Sequence, residues 1–203
     1  MERPLPIEAR ERPTREQIAA LPVYPALPPS QIHLLDSAAR CAFAQRLLSE
    51  AGHVGFDTES KPVFAAGAPQ TGPDIVQFAT REHAFIVPTA APGVADFLRA
   101  VIESDAIVKV GFGLASDRPQ LQRRLGLRLG LSIDLSHLLR QRLGFKQAVG
   151  LKVAVALVLH QQLPKSRKVT TSNWASPQLS PRQLQYAAND AHASLQIYHA
   201  LAG

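Results

Sequence analysis

One cysteine stands in 203 residues. Cys41 alone can build neither a disulfide framework nor a thiolate zinc site. A chain so poor in thiols suits a reducing compartment. Long apolar runs are also missing: no stretch approaches the roughly 20 apolar residues of a membrane span. The opening Met1-Glu2-Arg3-Pro4 lacks the apolar core of a secretion signal. A cytoplasmic protein with no membrane partner is therefore expected. Several motifs of other chemistries are absent. There is no GxSxG nucleophile turn, no P-loop lysine and no HExxH. Gly111-Phe112-Gly113 lacks the rest of a dinucleotide fingerprint and reads as a tight strand-to-helix turn. No internal repeat of about 20–50 residues is present, which excludes solenoids and propellers. Acids are fewer than bases, 16 against 22, for a net charge of +6. A basic surface fits a polyanionic partner such as nucleic acid.

What is there suffices for one core. Hydrophobic residues make up 46% of the chain, and its length favours one domain. Residues 1–30 carry Pro4, Pro6, Pro13, Pro22, Pro25, Pro28 and Pro29, which oppose regular structure. They read as an extended arm, with at most a helical turn over Arg15 to Ala20, that either wraps the domain or stays mobile. From residue 31 to 203 the pattern is regular. Strands are expected at Gln31 to Asp36, His53 to Glu59, Asp74 to Thr80, His83 to Pro88, Ile107 to Gly111 and Leu129 to Ile133. The first helix is capped by Asp36 or Ser37 and runs to about Ser49, with Ala39, Phe43, Leu47 and Leu48 inward. Others span Gly93 to Ser104, Ser116 to Arg124 with Ser116 as cap, and Asp134 to Leu143, and Gly150 precedes another that runs through His160. The last runs from Ser180-Pro181 to about Leu201, with serine at the cap and proline at the first helical position. Lys61 to Pro73 reads as a loop, and Pro164 to Pro177 as a basic, polar connection. This order gives an α/β fold: a mixed central sheet flanked by helices, in a single domain.

Three patches carry the chemistry. Phe56-Asp57-Thr58-Glu59 closes an apolar strand, and its i, i+2 spacing puts both carboxylates on one face. Like charges there repel and call for a cation. The carboxyl end of a strand is also where α/β sheets bind ligands. Asp117 follows a second apolar strand after a glycine-containing turn. Tyr186 and Asp190, at i, i+4, share one face of the last helix. That helix is lined with Ala187, Ala188, Ala191 and Ala193, so it can approach the sheet closely, and an aspartate on such a face needs a partner. Any one of these acids alone would read as a cap or a solvated loop residue. Hard divalent cations are bound by such oxygen donors.

With these residues, the chain resembles the DEDD superfamily of 3′–5′ exonucleases, which share an RNase H-like fold. Within it, the chain looks like the ribonuclease D and Werner-type exonuclease branch. Val54-Gly55-Phe56-Asp57-Thr58-Glu59 carries the first block, Lys109-Val110-Gly111-Phe112-Gly113 through Asp117 the second, and Tyr186-Ala187-Ala188-Asn189-Asp190-Ala191 the third. Ile75-Val76-Gln77-Phe78, Asp134-Leu135, Gly150-Leu151-Lys152 and Ser172-Asn173-Trp174 support it, and the likeness covers roughly residues 31–202. One branch of the superfamily has histidine five positions before the last aspartate, where this chain has Gln185. The other has tyrosine four before, and here that is Tyr186.

The resemblance implies two Mg²⁺ or Mn²⁺ ions. Asp57, Glu59 and Asp190 would hold the first, with Asp57 bridging to a second supported by Asp117. Tyr186 would orient the attacking water, and nucleoside 5′-monophosphates would leave a single-stranded or recessed 3′ end of DNA or RNA. Thr58 would contact the terminal nucleotide. Lys61, Lys165, Arg167 and Lys168 are candidate phosphate contacts, against the alternative of a solvated loop. Trp174 is expected to pack under the last helix rather than stack on a base. His192 and His199 are expected to be core or surface residues rather than ligands. Ser172-Asn173-Trp174 leans toward the Werner side, hence toward DNA. Ribonuclease D has helical domains after its nuclease; with the chain ending at Gly203, low processivity is expected. The rival readings are an inactive nucleic-acid-binding module on the same fold, and an unrelated α/β phosphatase or small-molecule hydrolase.

Overall fold

The computed structural model describes residues 11–63 and 71–202. The prolines at 4 and 6, and the Gly67 and Pro69 part of the expected loop, lie outside the described residues.

The described residues form six strands: β1 (Ile32–Leu34), β2 (His53–Glu59), β3 (Ile75–Ala79), β4 (Ala84–Pro88), β5 (Val108–Gly111) and β6 (Ser132–Asp134). They form one sheet in the order β1-β4-β3-β2-β5-β6. The hairpin strands β2, β3 and β4 pair antiparallel, while β1 on β4, β5 on β2 and β6 on β5 are parallel. This is the mixed sheet expected from the element order.

Alternation along β2 divides the core. Val54 and Phe56 join Phe78, Phe85, Leu98, Val101 and Leu121 under α2 (Ala38–Ala51), α3 (Ala95–Ile102) and α4 (Leu114–Leu125). The opposite face carries Ile75, Ala79, Ala84 and Ile86 against Ala187, Ala188 and Ala191 of α8 (Pro181–Ala202). Beyond β6 the chain forms α5 (Leu135–Leu143), then α6 (Leu151–Ala154) running into a π turn (Val155–Leu159), then α7 (Arg167–Thr170). An earlier short helix, α1 (Arg15–Ala19), is held by a capping box in which Thr14 and Gln17 bond reciprocally.

Several local expectations are corrected. The inner face of α2 is Cys41, Ala44 and Leu48, whereas Ala39 and Phe43 are exposed. Phe43 instead lies across the sheet edge against His33 and Phe85. Ser116 does not cap α4. Gly113, at φ 70°, turns the chain straight out of β5, and the Ser116 hydroxyl donates to its carbonyl inside the first turn. The strand expected at Leu129 to Ile133 is displaced to Ser132–Asp134, because Leu127 and Leu129 turn into the core instead of pairing. The helix expected through His160 changes to π geometry at Val155 and stops at His160, which sits at φ 53°. The basic connection after Pro164 contains α7.

Candidate active site

The site grows from the end of β2. β5 pairs with β2 only as far as Gly55, opposite Val110, and then leaves through Gly113 into α4. The last residues of β2 therefore have a strand neighbour on one side only, β3, where Asp57 stands opposite Gln77 and Glu59 opposite Ile75. Asp57 and Glu59 share the α8 face with Gly55. A Cβ on Gly55 would fall 1.9 Å from the Ala191 carbonyl oxygen, so glycine is what lets the helix lie on the strand. That contact brings Asp190, one residue before Ala191, down to the two strand acids. Oxygens of Asp57, Glu59 and Asp190 all lie within 4.8 Å of one another. Asp190 is 2% exposed, while the two strand acids are half-buried.

Asp117 comes from the other side. Thr58 points to the α4 face, and its hydroxyl donates to Asp117 Oδ1 at 2.5 Å, while its amide donates to Asp57 Oδ1 at 2.9 Å. Asp117 is not within the three-acid group but borders it, and its charge raises the proton affinity of Asp57. The turn that delivers it is pinned: the Gly113 amide donates to Asp134 Oδ1 at 3.2 Å and Ser136 Oγ at 3.1 Å.

The electrostatics show an unmet demand for positive charge. Burial, then repulsion from Asp190 and Asp117, pushes Asp57 up to about 8. Burial, then Asp57 and Asp190, pushes Glu59 up to about 9. Burial also raises Asp117 and Asp190. Desolvation and like charges act together in such clusters. Lys165 offsets part of the charge, with Nζ 2.6 Å from Asp190 Oδ2 and 5.1 Å from the centre of the Tyr186 ring. Burial works against this ammonium, yet Asp190, Tyr186 and Asp57 hold it above its ordinary value.

Tyr186 stands one turn before Asp190, buried, with its ring 5.9 Å from Trp174. Its hydroxyl accepts from Thr170 Oγ1 at 3.1 Å. Burial and Asp190 push the phenol up, so it keeps its proton at neutral pH and can both donate and accept. Trp174 is fully buried against α8 and packs as expected. Gln185 donates to the Leu27 carbonyl and to Asn189 Oδ1, a packing role. His192 is buried between the Tyr24 hydroxyl and the Arg81 carbonyl, with both ring nitrogens engaged.

Of the expected phosphate contacts, Lys165 is inside the acid cluster. Arg167 and Lys168, on α7, are exposed, and so is Lys61, whose amide donates to Asp74. Sequence reasoning missed three features. Lys152 and Arg182 face Lys165 along a groove of about 530 Å³ beside Tyr186 and Asn189. Gln77, next to Asp57, is fully buried with neither amide atom bonded among the described residues. Only the alternation of β2 could have aimed Thr58 at α4.

Three clustered carboxylates with nothing but oxygen donors suit a hard divalent cation. Among the described residues, no helix is long and apolar enough to cross a membrane. A family model described as 3′–5′ exonuclease matches residues 33–203. A "3′-5′ exonuclease" of Arabidopsis thaliana is 32% identical over 149 residues, covering 73% of this chain and 52% of its own length. The mouse "bifunctional 3′-5′ exonuclease/ATP-dependent helicase WRN" is 28% identical over 178 residues, 85% of this chain and 13% of its own length. The chain thus spans about half or less of the length of these curated relatives. The Nibbler EXO domain of Aedes aegypti superposes with a TM-score of 0.72 at 26% identity, covering 86% of this chain and 88% of that one. With the matched family model spanning sheet, helices and acid cluster alike, the chain belongs to the 3′–5′ exonuclease family.

Proposed function

We propose that this protein removes nucleoside 5′-monophosphates from the 3′ end of a nucleic acid strand, DNA or RNA, with two Mg²⁺ or Mn²⁺ ions. The observation that carries this is the meeting of Asp57, Glu59 and Asp190 within 4.8 Å at the open end of β2. These three would hold one ion, and Asp57 with Asp117 the second. When bound, the ions supply a nucleophilic water at neutral pH and stabilise charge on the attacking and leaving oxygens. Tyr186, kept protonated by burial, orients that water through its hydroxyl. Thr58 holds Asp117 in place and stands where a terminal nucleotide would meet the strand end. Lys152, Lys165 and Arg182 line the neighbouring groove with positive charge for the incoming phosphates, and the exposed Lys61, Arg167 and Lys168 are further candidate phosphate contacts. We take residues 31–203 as the nuclease domain, with 1–30 as an arm, and a reducing cytoplasmic setting from the lone Cys41.

The test is digestion of 5′-labelled single strands and recessed duplexes, in matched DNA and RNA, with Mg²⁺ or Mn²⁺. Stepwise shortening from the 3′ end, release of 5′-monophosphates, and loss of both in Asp57→Ala are expected. Binding without shortening would instead favour a module that lost the chemistry. An active Asp57→Ala protein would overturn the site assignment.

A further inference from the structure

Lys165 occupies an unusual place. Its backbone belongs to the exposed connection after Pro164, yet its side chain turns inward and is only 28% exposed. It reaches the most buried of the three acids, Asp190, and lies over the Tyr186 ring. Asp190 needs such a partner: a buried carboxylate without a counter-charge is costly. The bonded carboxylate is one of the same three acids that suit a cation. An ammonium and a divalent cation cannot both sit against that oxygen cluster without repelling each other. Lys165 also lines the groove that carries Lys152 and Arg182, so its flexible stem has a second, phosphate-accessible direction to take.

We propose that Lys165 is a resident counter-ion that competes with metal: it neutralises Asp190 in the metal-free protein and gives up that carboxylate when a divalent ion binds, becoming free for a substrate phosphate. This rests on the metal-dependent reading above. The chain thereby keeps its acid cluster folded without metal, and its affinity for metal is held down by the lysine that must leave.

The test is calorimetric titration of Mn²⁺ into the metal-free protein, with no nucleic acid present. Lys165→Met, which removes the charge and keeps the stem, is expected to bind Mn²⁺ about tenfold more tightly or better. Lys165→Arg, which retains the charge, is expected to stay near the wild type. The metal-free Met variant should melt below the wild type, and saturating Mn²⁺ should close that gap. In the wild type, acetic anhydride labelling followed by mass spectrometry should modify Lys165 slowly without metal and faster with Mn²⁺. This second measurement needs no variant to fold. Equal or weaker Mn²⁺ binding by Lys165→Met, or Lys165 labelling that Mn²⁺ leaves unchanged or slows, would overturn the counter-ion role while leaving metal-dependent cleavage intact. Absence of Mn²⁺ binding to the wild type would overturn both.

Discussion

Carboxylic acids held near pH 8 and 9 make the metal-free protein sensitive to pH. Asp57 and Glu59 bind their protons more tightly in the folded chain than their ordinary values of 3.8 and 4.5 would allow. The stability this lends is complete below about pH 4 and is lost as pH rises through 8 and 9. Metal-free wild type should therefore weaken from pH 5 to 9 relative to the Asp57→Asn/Glu59→Gln variant, as read by denaturant midpoints at matched pH. Saturating Mn²⁺ should remove most of the slope, since the ion replaces the protons. Tyr186→Phe removes only the hydroxyl, which meets Thr170 and Asp190. Turnover should fall about a hundredfold, with Mn²⁺ affinity unchanged by calorimetry. A Phe variant with full turnover would show that the hydroxyl merely packs. At this scale the sequence was legible where spacing fixes geometry: i, i+2 on β2 and i, i+4 on α8 each put two groups on one face. Lys165 was not, because nothing in a polar connection says which lysine turns inward.

At the scale of elements, the contact of α8 with β2 decides whether a site exists. Gly55 and the alanines of α8 allow it, and a methyl at Gly55 would meet backbone atoms of Ala191, which cannot rotate away. Gly55→Ala should cost about 1–3 kcal/mol or more, seen as a calorimetric melting point lowered by several degrees. It should also weaken Mn²⁺ binding, because Asp190 would move off the strand acids. An unchanged melting point would show that the helix rides higher than described. The ranges of β2, β3, β4 and α8 followed from periodicity and end signals within a residue or two. The start of α4 did not, since Ser116 reads as a cap from its residue type, whereas the turn out of β5 starts the helix at Leu114, straight after Gly113. The inward face of α2 was legible at Leu47 and Leu48 but not at Cys41 and Ala44, which are small, while the large Phe43 lies on the sheet edge.

Across the whole molecule, residues 11–30 tie the two ends of the chain together. Ile18, Tyr24 and Leu27 are buried, and Val23 bridges to Gln162. The Tyr24 hydroxyl bonds His192 Nδ1 at 2.7 Å, two residues from Asp190 on the same helix. Tyr24→Ala should cost about 3–5 kcal/mol, and limited proteolysis should then cut within residues 11–30. Resistance equal to the wild type would mean that the segment is held elsewhere, for instance by Arg12, which donates to the Gln147 and Ala148 carbonyls. Proline spacing could signal only that this stretch was irregular, because its partners lie more than a hundred residues away.

The sequence by itself determined the mixed sheet, the family and the acids on β2, α4 and α8, since these depend on local periodicity and ordered blocks. The tertiary structure alone decided that Asp190 reaches Asp57 and Glu59, that Asp117 arrives from the opposite face through Thr58, and that Lys165 lies among them. Those relations depend on how closely a helix rests on a strand and on where two parallel strands part, and such distances are set by packing between segments remote in the chain.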